Sequence, residues 1–324
     1  MKNKVFITRS ILPAGIELLR SAGFEVSVND LDRALSYEEL KEKGHSADAL
    51  ITMLSDRIDE EFLTYNSHLK VISNYAVGTN NINITKAHEL KIPIGNTPDV
   101  LTEATAEVAL GLMISATRNF FSANACAQNG EWIDWHPTKH LGHGLRGKTL
   151  GIVGLGRIGM RLAEMCSSAF KMKIIYTANS DKINSMSATR VDLAELCTQS
   201  DFISLHTPLT DKTRNLIGKK ELNAMKKSAV LINTSRGEII NQEDLFFALQ
   251  EKNIFAAGLD VTTPEPLPVE HGLFKLKNVM ILPHIGSATY EARNAMSILA
   301  AENIIAGING SELKSWVDKK DLLP

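Results

Sequence analysis

The ten residues Leu150–Gly159, which read LGIVGLGRIG, decide the fold of this chain. The apolar run Leu150–Val153 is typical of a strand that is buried on both faces. The glycines that follow it, Gly154, Gly156 and Gly159, have G-x-G-x-x-G spacing. After them, the apolar residues of 160–170 recur with the spacing of a helix. In this pattern the first glycine permits a tight turn, the second lets the backbone approach a pyrophosphate, and the third lets the helix pack close to the strand. The hexapeptide alone could be a plain turn, but a strand before it and a helix after it favour a dinucleotide site at the helix N-terminus.

Composition and charge exclude several classes of protein. Hydrophobic residues make up 44% of the chain and charged residues 22%, and the formal net charge is -2, so no basic surface indicates nucleic acid or an acidic membrane. The three cysteines form no C-x-x-C pair and, being odd in number, do not suit a disulfide framework. The chain lacks both a signal-peptide h-region and an apolar run of about 18 residues. We therefore expect a cytoplasmic protein with no nucleic-acid partner, no membrane association and no metal site.

The length of 324 residues predicts two domains. Strands alternate with helices at short intervals before and after the glycine-rich stretch, which predicts parallel sheets with helices on both faces. We predict an α/β protein with two doubly wound parallel-sheet, Rossmann-like domains, the cofactor domain being inserted into a flavodoxin-like substrate domain. The predicted substrate domain comprises residues 1–98 plus 290–324, and the predicted dinucleotide-binding domain comprises residues 99–289.

Two segments at the start of the second domain allow more than one interpretation. The predicted helix 101–115 is apolar nearly all round, which is typical of a helix buried in its own domain or against another subunit. Four aromatic residues follow in a predicted loop, namely Phe120, Phe121, Trp132 and Trp135. They could form a site wall, a subunit contact or ordinary packing.

Three chemically complementary residues each follow a predicted strand: Arg236, Glu265 and His284. Ligands of doubly wound sheets bind outside the carboxyl ends of the strands. Taken singly, they could be a solvated arginine, a turn residue and a packed histidine. Together at one edge, they suit the reduction of a 2-keto acid.

The chemistry explains the choice of residue types. An arginine offers a planar fork that can hold a carboxylate and polarise the neighbouring carbonyl. A histidine can donate a proton to the developing alkoxide near neutral pH. A carboxylate bonded to the far ring nitrogen fixes the imidazole and keeps it protonated longer. We predict Arg236 as the clamp, His284 as the acid and Glu265 as the orienting group.

Four motifs closely resemble the D-isomer-specific 2-hydroxyacid dehydrogenase family, and the resemblance extends over nearly the whole chain. They are GLGRIG, NTSRGEII (233–240), GLDVTTPEPLP (258–268) and LPHIGSAT (282–289). Two earlier motifs, NYAVG (74–78) and GNTPDVLTEATAE (95–107), together with GLDVTTPEPLP, are similar to the glyoxylate/hydroxypyruvate reductase branch. The resemblance also implies that helix 101–115 is a dimerisation helix of a homodimer, and that the segment carrying Trp132 and Trp135 can reach the partner's site.

Two sets of binding residues are predicted. For the substrate they are Arg236 and His284, from their chemistry, and two loops that the resemblance implies, which contain Leu54, Ser55, Ala76, Val77 and Gly78. For the cofactor the sequence pattern predicts the glycines of the turn (Gly154, Gly156, Gly159) and the residues at the end of the second strand and after it (Thr177, Asn179, Ser180, Lys182). The resemblance adds Arg157, Ile158, His206, Thr207, Pro208, Thr234, Ser235, Asp260, His284 and Gly286.

The cofactor preference depends on the residues after the second strand of the dinucleotide-binding domain. NAD-specific sites place an Asp or Glu there, whereas Thr177-Ala178-Asn179 has no acid. Asn179, Ser180 and Lys182 could donate to a 2′-phosphate, although no arginine lies in this loop and Asp181 is near. We predict NADP(H) as the preferred cofactor, with NAD(H) possible.

These observations predict an NAD(P)H-dependent D-2-hydroxyacid dehydrogenase that reduces glyoxylate and hydroxypyruvate by hydride transfer, with His284 as general acid. Two alternatives remain open at this stage. One is a 2-ketogluconate reductase or another D-2-hydroxyacid dehydrogenase with the same mechanism. The other is a dinucleotide-sensing binding protein, which turnover at ordinary rates would exclude.

Overall fold

The computed structural model describes residues 2–179 and 187–317, and all structural statements concern these residues. The chain divides into two compact units. The first runs to Leu101 and resumes at Ser287, and the second spans Thr102–Gly286. The predicted domain boundaries lay after residues 98 and 289.

The first unit is built on a five-stranded parallel sheet. Its strands β1 to β5 are Lys4–Ile7, Glu25–Val28, Ala49–Thr52, Val71–Asn74 and Ile94–Gly95. The first four helices, α1 to α4, are Pro13–Ser21, Tyr37–His45, Glu60–Tyr65 and Ile84–Glu89. The strand order β2-β1-β3-β4-β5 is that of flavodoxin-like folds, as predicted.

The second unit contains a seven-stranded parallel sheet. Its strands β6 to β12 are Thr149–Val153, Lys173–Thr177, Thr189–Arg190, Phe202–Leu205, Val230–Asn233, Ala256–Leu259 and Val279–Ile281. Its helices α5 to α10 are Thr102–Thr117, Phe120–Gln128, Arg157–Phe170, Leu193–Gln199, Lys219–Ala224 and Gln242–Gln250. The sheet order is β12-β11-β10-β9-β6-β7-β8, which is the Rossmann order with one added strand. The chain then returns to the first unit in α11, Tyr290–Ile308.

Apolar side chains alternate between the two faces of the second sheet and form a core on each. Leu150 and Ile152 pack with Phe202 on the face that α5 and α7 cover. Val153 and Leu205 point to the other face, which contains the residues of α8 to α10. The predicted fold class is confirmed.

Helix α5 packs against its own sheet, which answers part of the question that its apolar sequence raised. Ala106, Leu112 and Met113 are buried in the core of the second unit, whereas Glu103 and Gly111 are exposed. One face of the helix is therefore core, and its role in a subunit contact stays a prediction.

Several predicted elements were wrong in detail. Phe120 and Phe121 lie in α6 and not in a loop, because the alanine-rich segment Phe120–Gln128 forms a helix. A glycine after Tyr37–Lys43 predicts the end of a helix there, but α2 continues through Gly44, where a Cβ would lie 3.0 Å from the Phe62 ring, so this glycine permits packing. Helix α4 and strand β8 were not predicted, because both are short and show no clear apolar periodicity.

None of the helices in residues 2–179 and 187–317 has both the length and the apolar character that a membrane span needs.

Candidate active site

The glycine-rich turn between β6 and α7 depends on the absence of side chains at two of its three glycines. Gly154 has φ +93°, and a Cβ there would lie 2.8 Å from the carbonyl carbon of His206. A Cβ on Gly159 would lie 2.5 Å from the Gly154 oxygen. Gly156 differs, because its Cβ would meet nothing within 4 Å. The turn thus leaves open space at Gly156, directly before the helix N-terminus, where a pyrophosphate binds in this fold.

Strand β6 lies between β7 and β9 in the sheet. From β7 the chain continues outward to β8 on one side of β6, and from β9 it continues outward to β10 on the other side. Such a switch point is where doubly wound sheets form a ligand crevice. The residues after β9 reach this point, because the His206 N–H donates to the Val153 oxygen at 2.8 Å. Gly154 in turn donates its N–H to the oxygen of Thr177, the last residue of β7, at 2.9 Å. The ends of three strands therefore meet at the glycine-rich turn.

Thr234, directly after β10, carries a buried hydroxyl. Its Oγ1 atom is buried and has no hydrogen-bond partner among the residues that the structure describes. Buried polar atoms are nearly always hydrogen-bonded, and at this strand end the hydroxyl is placed to bond a ligand group. Together with the open space at Gly156, this hydroxyl fits a dinucleotide cofactor along the carboxyl edge of the sheet.

His206 is uncharged at neutral pH. Burial lowers the pKa of its imidazole to about 4. Its Nε2 lies 2.8 Å from the Ser204 hydroxyl, so the ring is oriented by a neutral hydrogen bond. This side chain therefore adds no charge to the cofactor crevice.

Asn233 shapes the turn that carries Arg236. Its fully buried side chain accepts hydrogen bonds from the Ser235 N–H at 3.0 Å and the Ser235 hydroxyl at 2.9 Å, and donates to the Arg236 oxygen at 2.8 Å. Burial lowers the pKa of Arg236, while the negative charges of Glu265 and Glu238 act in the opposite direction. An arginine guanidinium stays charged in proteins, so Arg236 presents a positive charge near Glu265 and Glu238 in a partly buried part of the site.

Glu265 and His284 are hydrogen-bonded, with Glu265 Oε2 3.0 Å from His284 Nδ1. The other carboxylate oxygen, Oε1, accepts from the Thr262 N–H at 3.2 Å. Burial alone would raise the pKa of Glu265, but the bonds to His284 and Thr262 and the charges of His284 and Arg236 outweigh it and lower the pKa. The carboxylate therefore stays ionised and fixes the imidazole through Nδ1, which leaves Nε2 as the ring nitrogen that can meet a substrate.

Asp260 anchors the loop that carries His284. Its carboxylate accepts from the N–H groups of Ile285 and Gly286, each at 2.7 Å, and its backbone oxygen accepts from the His284 N–H at 3.0 Å. These bonds hold His284 at φ +54°, a left-handed conformation that is sparsely populated by residues other than glycine. A Cβ on Gly286 would lie 3.0 Å from the Asp260 carboxylate, so a side chain there would press on the group that anchors the loop.

The turn of Arg236 and the loop of Glu265 are packed together. A Cβ on Gly237 would lie 2.0 Å from the Thr262 oxygen, so only glycine fits between them. Gln242, at the start of α10, donates to the Thr263 oxygen at 2.6 Å and accepts from the Thr263 N–H at 2.9 Å. The second unit thus brings the predicted clamp, acid and orienting group to one edge of its sheet.

Comparison with known proteins identifies the family. Residues 110–286 match the family model "D-isomer specific 2-hydroxyacid dehydrogenase, NAD binding domain". The glyoxylate reductase of Thermococcus litoralis is 46% identical, with 100% of this chain and 98% of the relative aligned.

The chain belongs to the D-isomer specific 2-hydroxyacid dehydrogenase family. The human glyoxylate reductase/hydroxypyruvate reductase is 42% identical, with 96% of this chain and 97% of the relative covered. The NADPH-dependent glyoxylate/hydroxypyruvate reductase of Sinorhizobium meliloti, solved with NADP and malonate, superimposes with a TM-score of 0.85 at 28% identity, covering 98% and 97% of the two chains. The chain is therefore an oxidoreductase that binds a nicotinamide dinucleotide, and the predicted family is confirmed.

In the first unit, a polar network joins the two loops that were predicted to bind substrate. Asn81 donates to the oxygens of Met53 at 3.1 Å and Asp56 at 3.0 Å, and so holds the loop that contains Leu54 and Ser55. Asn74 donates to the Asn81 side chain at 3.2 Å and to the Gly78 oxygen at 2.9 Å, and so holds the other loop. Leu54 and Val77 are exposed at the tips of these loops, whereas Ala76 is buried.

The adenosine end of the predicted cofactor site is only partly described. Ser180 and Lys182 lie outside the described residues. Thr177 ends β7, and Asn179 is exposed after it. No arginine lies in the loop itself, but the guanidinium of Arg190, from the neighbouring strand β8, donates to the Ala178 oxygen at 2.9 Å.

Sequence reasoning missed residues that shape the site without touching a predicted ligand. Asn233 bonds across its own turn, Asn74 and Asn81 join two loops of the first unit, and Gln242 holds a loop 21 positions further along the chain. Asn233 had a local signal, because an asparagine at a strand end commonly bonds the backbone two residues on. The bonds between distant loops had no such local signal.

Among the described residues, no group of three or more His, Cys, Asp or Glu side chains is placed to hold a metal.

Proposed function

We propose that this enzyme reduces small 2-keto acids, glyoxylate to glycolate and hydroxypyruvate to D-glycerate, with His284 as the general acid. The observation that carries the proposal is the Glu265–His284 pair at 3.0 Å, on the edge of the sheet that carries Arg236 and the glycine-rich turn. The relatives named above, which are glyoxylate and hydroxypyruvate reductases, support the same substrates.

Each residue has a defined task in this proposal. Arg236 binds the substrate carboxylate and polarises the keto oxygen, since a guanidinium offers donors in a planar fork. When bound, the nicotinamide dinucleotide supplies the hydride. His284 donates its Nε2 proton to the substrate oxygen as negative charge develops there. Glu265 keeps the ring oriented and stabilises its protonated form.

We assign the remaining binding residues by the family resemblance. The backbone of Ala76, Val77 and Gly78 and the Leu54–Ser55 loop bind the substrate carboxylate, and Thr234 and Asp260 bind the nicotinamide end. The glycine-rich turn holds the pyrophosphate, with Arg157 and Ile158 in contact with it, as the open space at Gly156 supports. His206, Thr207 and Pro208 line the cofactor, together with Ser235 and Gly286.

The proposed cofactor is NADP(H), because the loop after β7 presents no acid among Thr177, Ala178 and Asn179 that would repel a 2′-phosphate. A cytoplasmic location is consistent with cysteines that form no disulfide.

We also propose a homodimer. An apolar surface is exposed on the second unit, where Trp132, Ile133 and Trp135 are 72, 88 and 82% exposed and Phe120 and Phe121 are half exposed. Patches of this kind mark interaction sites. A second copy of the chain is the proposed occupant, and sedimentation equilibrium should give twice the mass of one chain. An Ile133→Asp variant should shift this mass toward that of the monomer, and a monomeric wild type would contradict the proposal.

Steady-state kinetics test the reaction directly. Purified enzyme is assayed with glyoxylate, hydroxypyruvate and 2-ketogluconate, each with NADPH and with NADH, and the configuration of the glycerate is determined by chiral chromatography. We expect the highest kcat/KM with NADPH and the two small acids, and D-glycerate as the product. Activity confined to 2-ketogluconate would overturn the substrate assignment, and formation of L-glycerate would overturn the assigned configuration of the product. Cofactor binding without turnover of any acid would indicate a binding protein.

A further inference from the structure

Arg190 places a cation at the end of β7 although it lies on the edge strand β8. The two strands pair in parallel, with Tyr176 opposite Arg190. The Arg190 side chain is exposed, and its Nη2 donates to the Ala178 oxygen at 2.9 Å. The guanidinium therefore lies beside Ala178, directly after the second strand of the Rossmann unit.

This position has a known chemical meaning in dinucleotide sites. The residues directly after the second strand meet the adenosine ribose, where an acid binds the 2′-hydroxyl of NAD and an arginine accommodates the 2′-phosphate of NADP. Thr177, Ala178 and Asn179 supply neither group. Arg190 brings the missing cation to the same place from the neighbouring strand.

We propose that Arg190 binds the 2′-phosphate of NADP(H) and sets the cofactor preference of this enzyme. The proposal rests on the NADP(H) preference put forward above. The bond to the Ala178 oxygen restricts the guanidinium before the cofactor binds, which lowers the entropy lost on binding. A guanidinium also suits a phosphate better than an ammonium does, because its donors lie in one plane and can bond two phosphate oxygens at once.

A purely structural role is the alternative, in which Arg190 only supports the loop after β7. The two roles differ in whether the effect of losing Arg190 depends on the 2′-phosphate of the ligand. A structural role would affect NADPH and NADH alike, whereas a phosphate ligand would affect only molecules that carry the 2′-phosphate.

Binding measurements on the whole protein distinguish these roles without relying on turnover. Dissociation constants are measured by calorimetry for NADPH, NADH, adenosine 2′,5′-bisphosphate and 5′-AMP, with wild type and with Arg190→Gln. We expect the variant to lose about tenfold or more in affinity for the two 2′-phosphates, as for one charge-assisted bond, and less than about twofold for the other two. Arg190→Lys should be intermediate, because it keeps the charge and loses the fork.

Arg146→Gln is the matched control. Arg146 is an exposed arginine shortly before β6, at the opposite, amino-terminal edge of the same sheet, so its loss removes the same charge away from the cofactor edge. This variant should bind all four ligands as wild type does. An equal drop in 2′-phosphate affinity would mean that net charge is responsible, which would overturn the proposal.

The outcomes separate the failure of this proposal from that of the proposed function. If wild type prefers NADPH and Arg190→Gln keeps the same preference, Arg190 is not the ligand. If wild type binds NADH as tightly as NADPH, the NADP(H) preference is wrong and the role of Arg190 falls with it. Keto-acid reduction is measured separately, so its absence would overturn the reaction and leave the binding result intact.

Discussion

Nδ1 of His284 lies 3.0 Å from Oε2 of Glu265, although the two residues follow different strands of the sheet. Two features make this approach possible. Thr262 donates its N–H to the second oxygen of Glu265, and Asp260 holds the backbone of His284 in a left-handed conformation. The pair is therefore built by the loops after β11 and β12. Thr262 fixes Glu265 within the first loop, and Asp260 fixes the backbone of the second loop at His284.

The Glu265–His284 pair predicts a pH-dependent contribution to stability. The pKa of Glu265 is lower in the folded protein than its ordinary value, so the ionised carboxylate stabilises the fold above about pH 4.3, and this contribution is lost as the pH falls through the folded value. Glu265→Gln should lower the free energy of unfolding by about 1 kcal/mol at pH 7. The difference between the two proteins should shrink below about pH 4, as measured by urea unfolding. A difference that is constant with pH would show that the charge of Glu265 does not stabilise the fold.

Arg236→Ala should impair both substrate binding and turnover. The clamp acts on the ground state through the carboxylate and on the transition state through the keto oxygen, so KM for hydroxypyruvate should rise and kcat should fall, each by about tenfold or more. Arg236→Lys should recover part of the loss, because it restores the charge without the planar fork. Arg146→Ala serves as the control for charge and should have normal kinetics. Normal kinetics in Arg236→Ala itself would remove this residue from the site.

Asn81→Ala should raise KM for the keto acid by weakening the two loops of the first unit. The change removes the bonds to the oxygens of Met53 and Asp56 and the acceptor of Asn74, with a loss of about 1 to 3 kcal/mol in stability. Asn83→Ala is a matched control, because it removes the cap of α4 at a cost of about 0.5 to 2 kcal/mol and leaves the loops intact. We expect KM for hydroxypyruvate to rise severalfold in the first variant only, with the NADPH dissociation constant unchanged in both. Equal KM values in the two variants would show that the network is only structural.

Gly156→Ala should weaken cofactor binding without disturbing the fold. Its backbone has φ -83°, and the added Cβ meets no protein atom within 4 Å, so thermal stability should be unchanged. The methyl group occupies the space left for the pyrophosphate, and we expect the NADPH dissociation constant to rise by about tenfold or more. Gly154→Ala is the contrasting variant, since φ +93° and a contact of 2.8 Å with His206 should destabilise the protein itself. Unchanged cofactor affinity in a folded Gly156→Ala protein would place the pyrophosphate elsewhere.

The elements that could be predicted from the sequence are those with a local signal. Strands buried on both faces, such as β10 and β11, can be predicted because continuous apolar runs between turns identify residues 230–233 and 256–259 as strands. The two-residue strand β8 has no such run, and so its position beside β7 could not be predicted. For the same reason Arg190 was missed, since only the pairing of β8 with β7 brings it to Ala178.

The site could be predicted to the level of residue types at strand ends and no further. The order of Arg236, Glu265 and His284 after successive strands indicated that they meet at one edge. The sequence contained no sign of the bonds from Asp260 that orient His284, or of the contact between Gly237 and Thr262, because these join loops that are separate in the chain. Long-range geometry of this kind is fixed by the packing of the sheet.

The kinetics of His284→Ala with hydroxypyruvate test the central claim most directly. Because the proton is needed only in the transition state, kcat should fall by about a hundredfold or more while KM changes far less. The NADPH dissociation constant and the melting temperature are measured on the same preparation to confirm that the variant is folded and binds cofactor. This outcome would support His284 as the acid held by Glu265. A kcat close to that of wild type, or equal effects on kcat and KM, would contradict it.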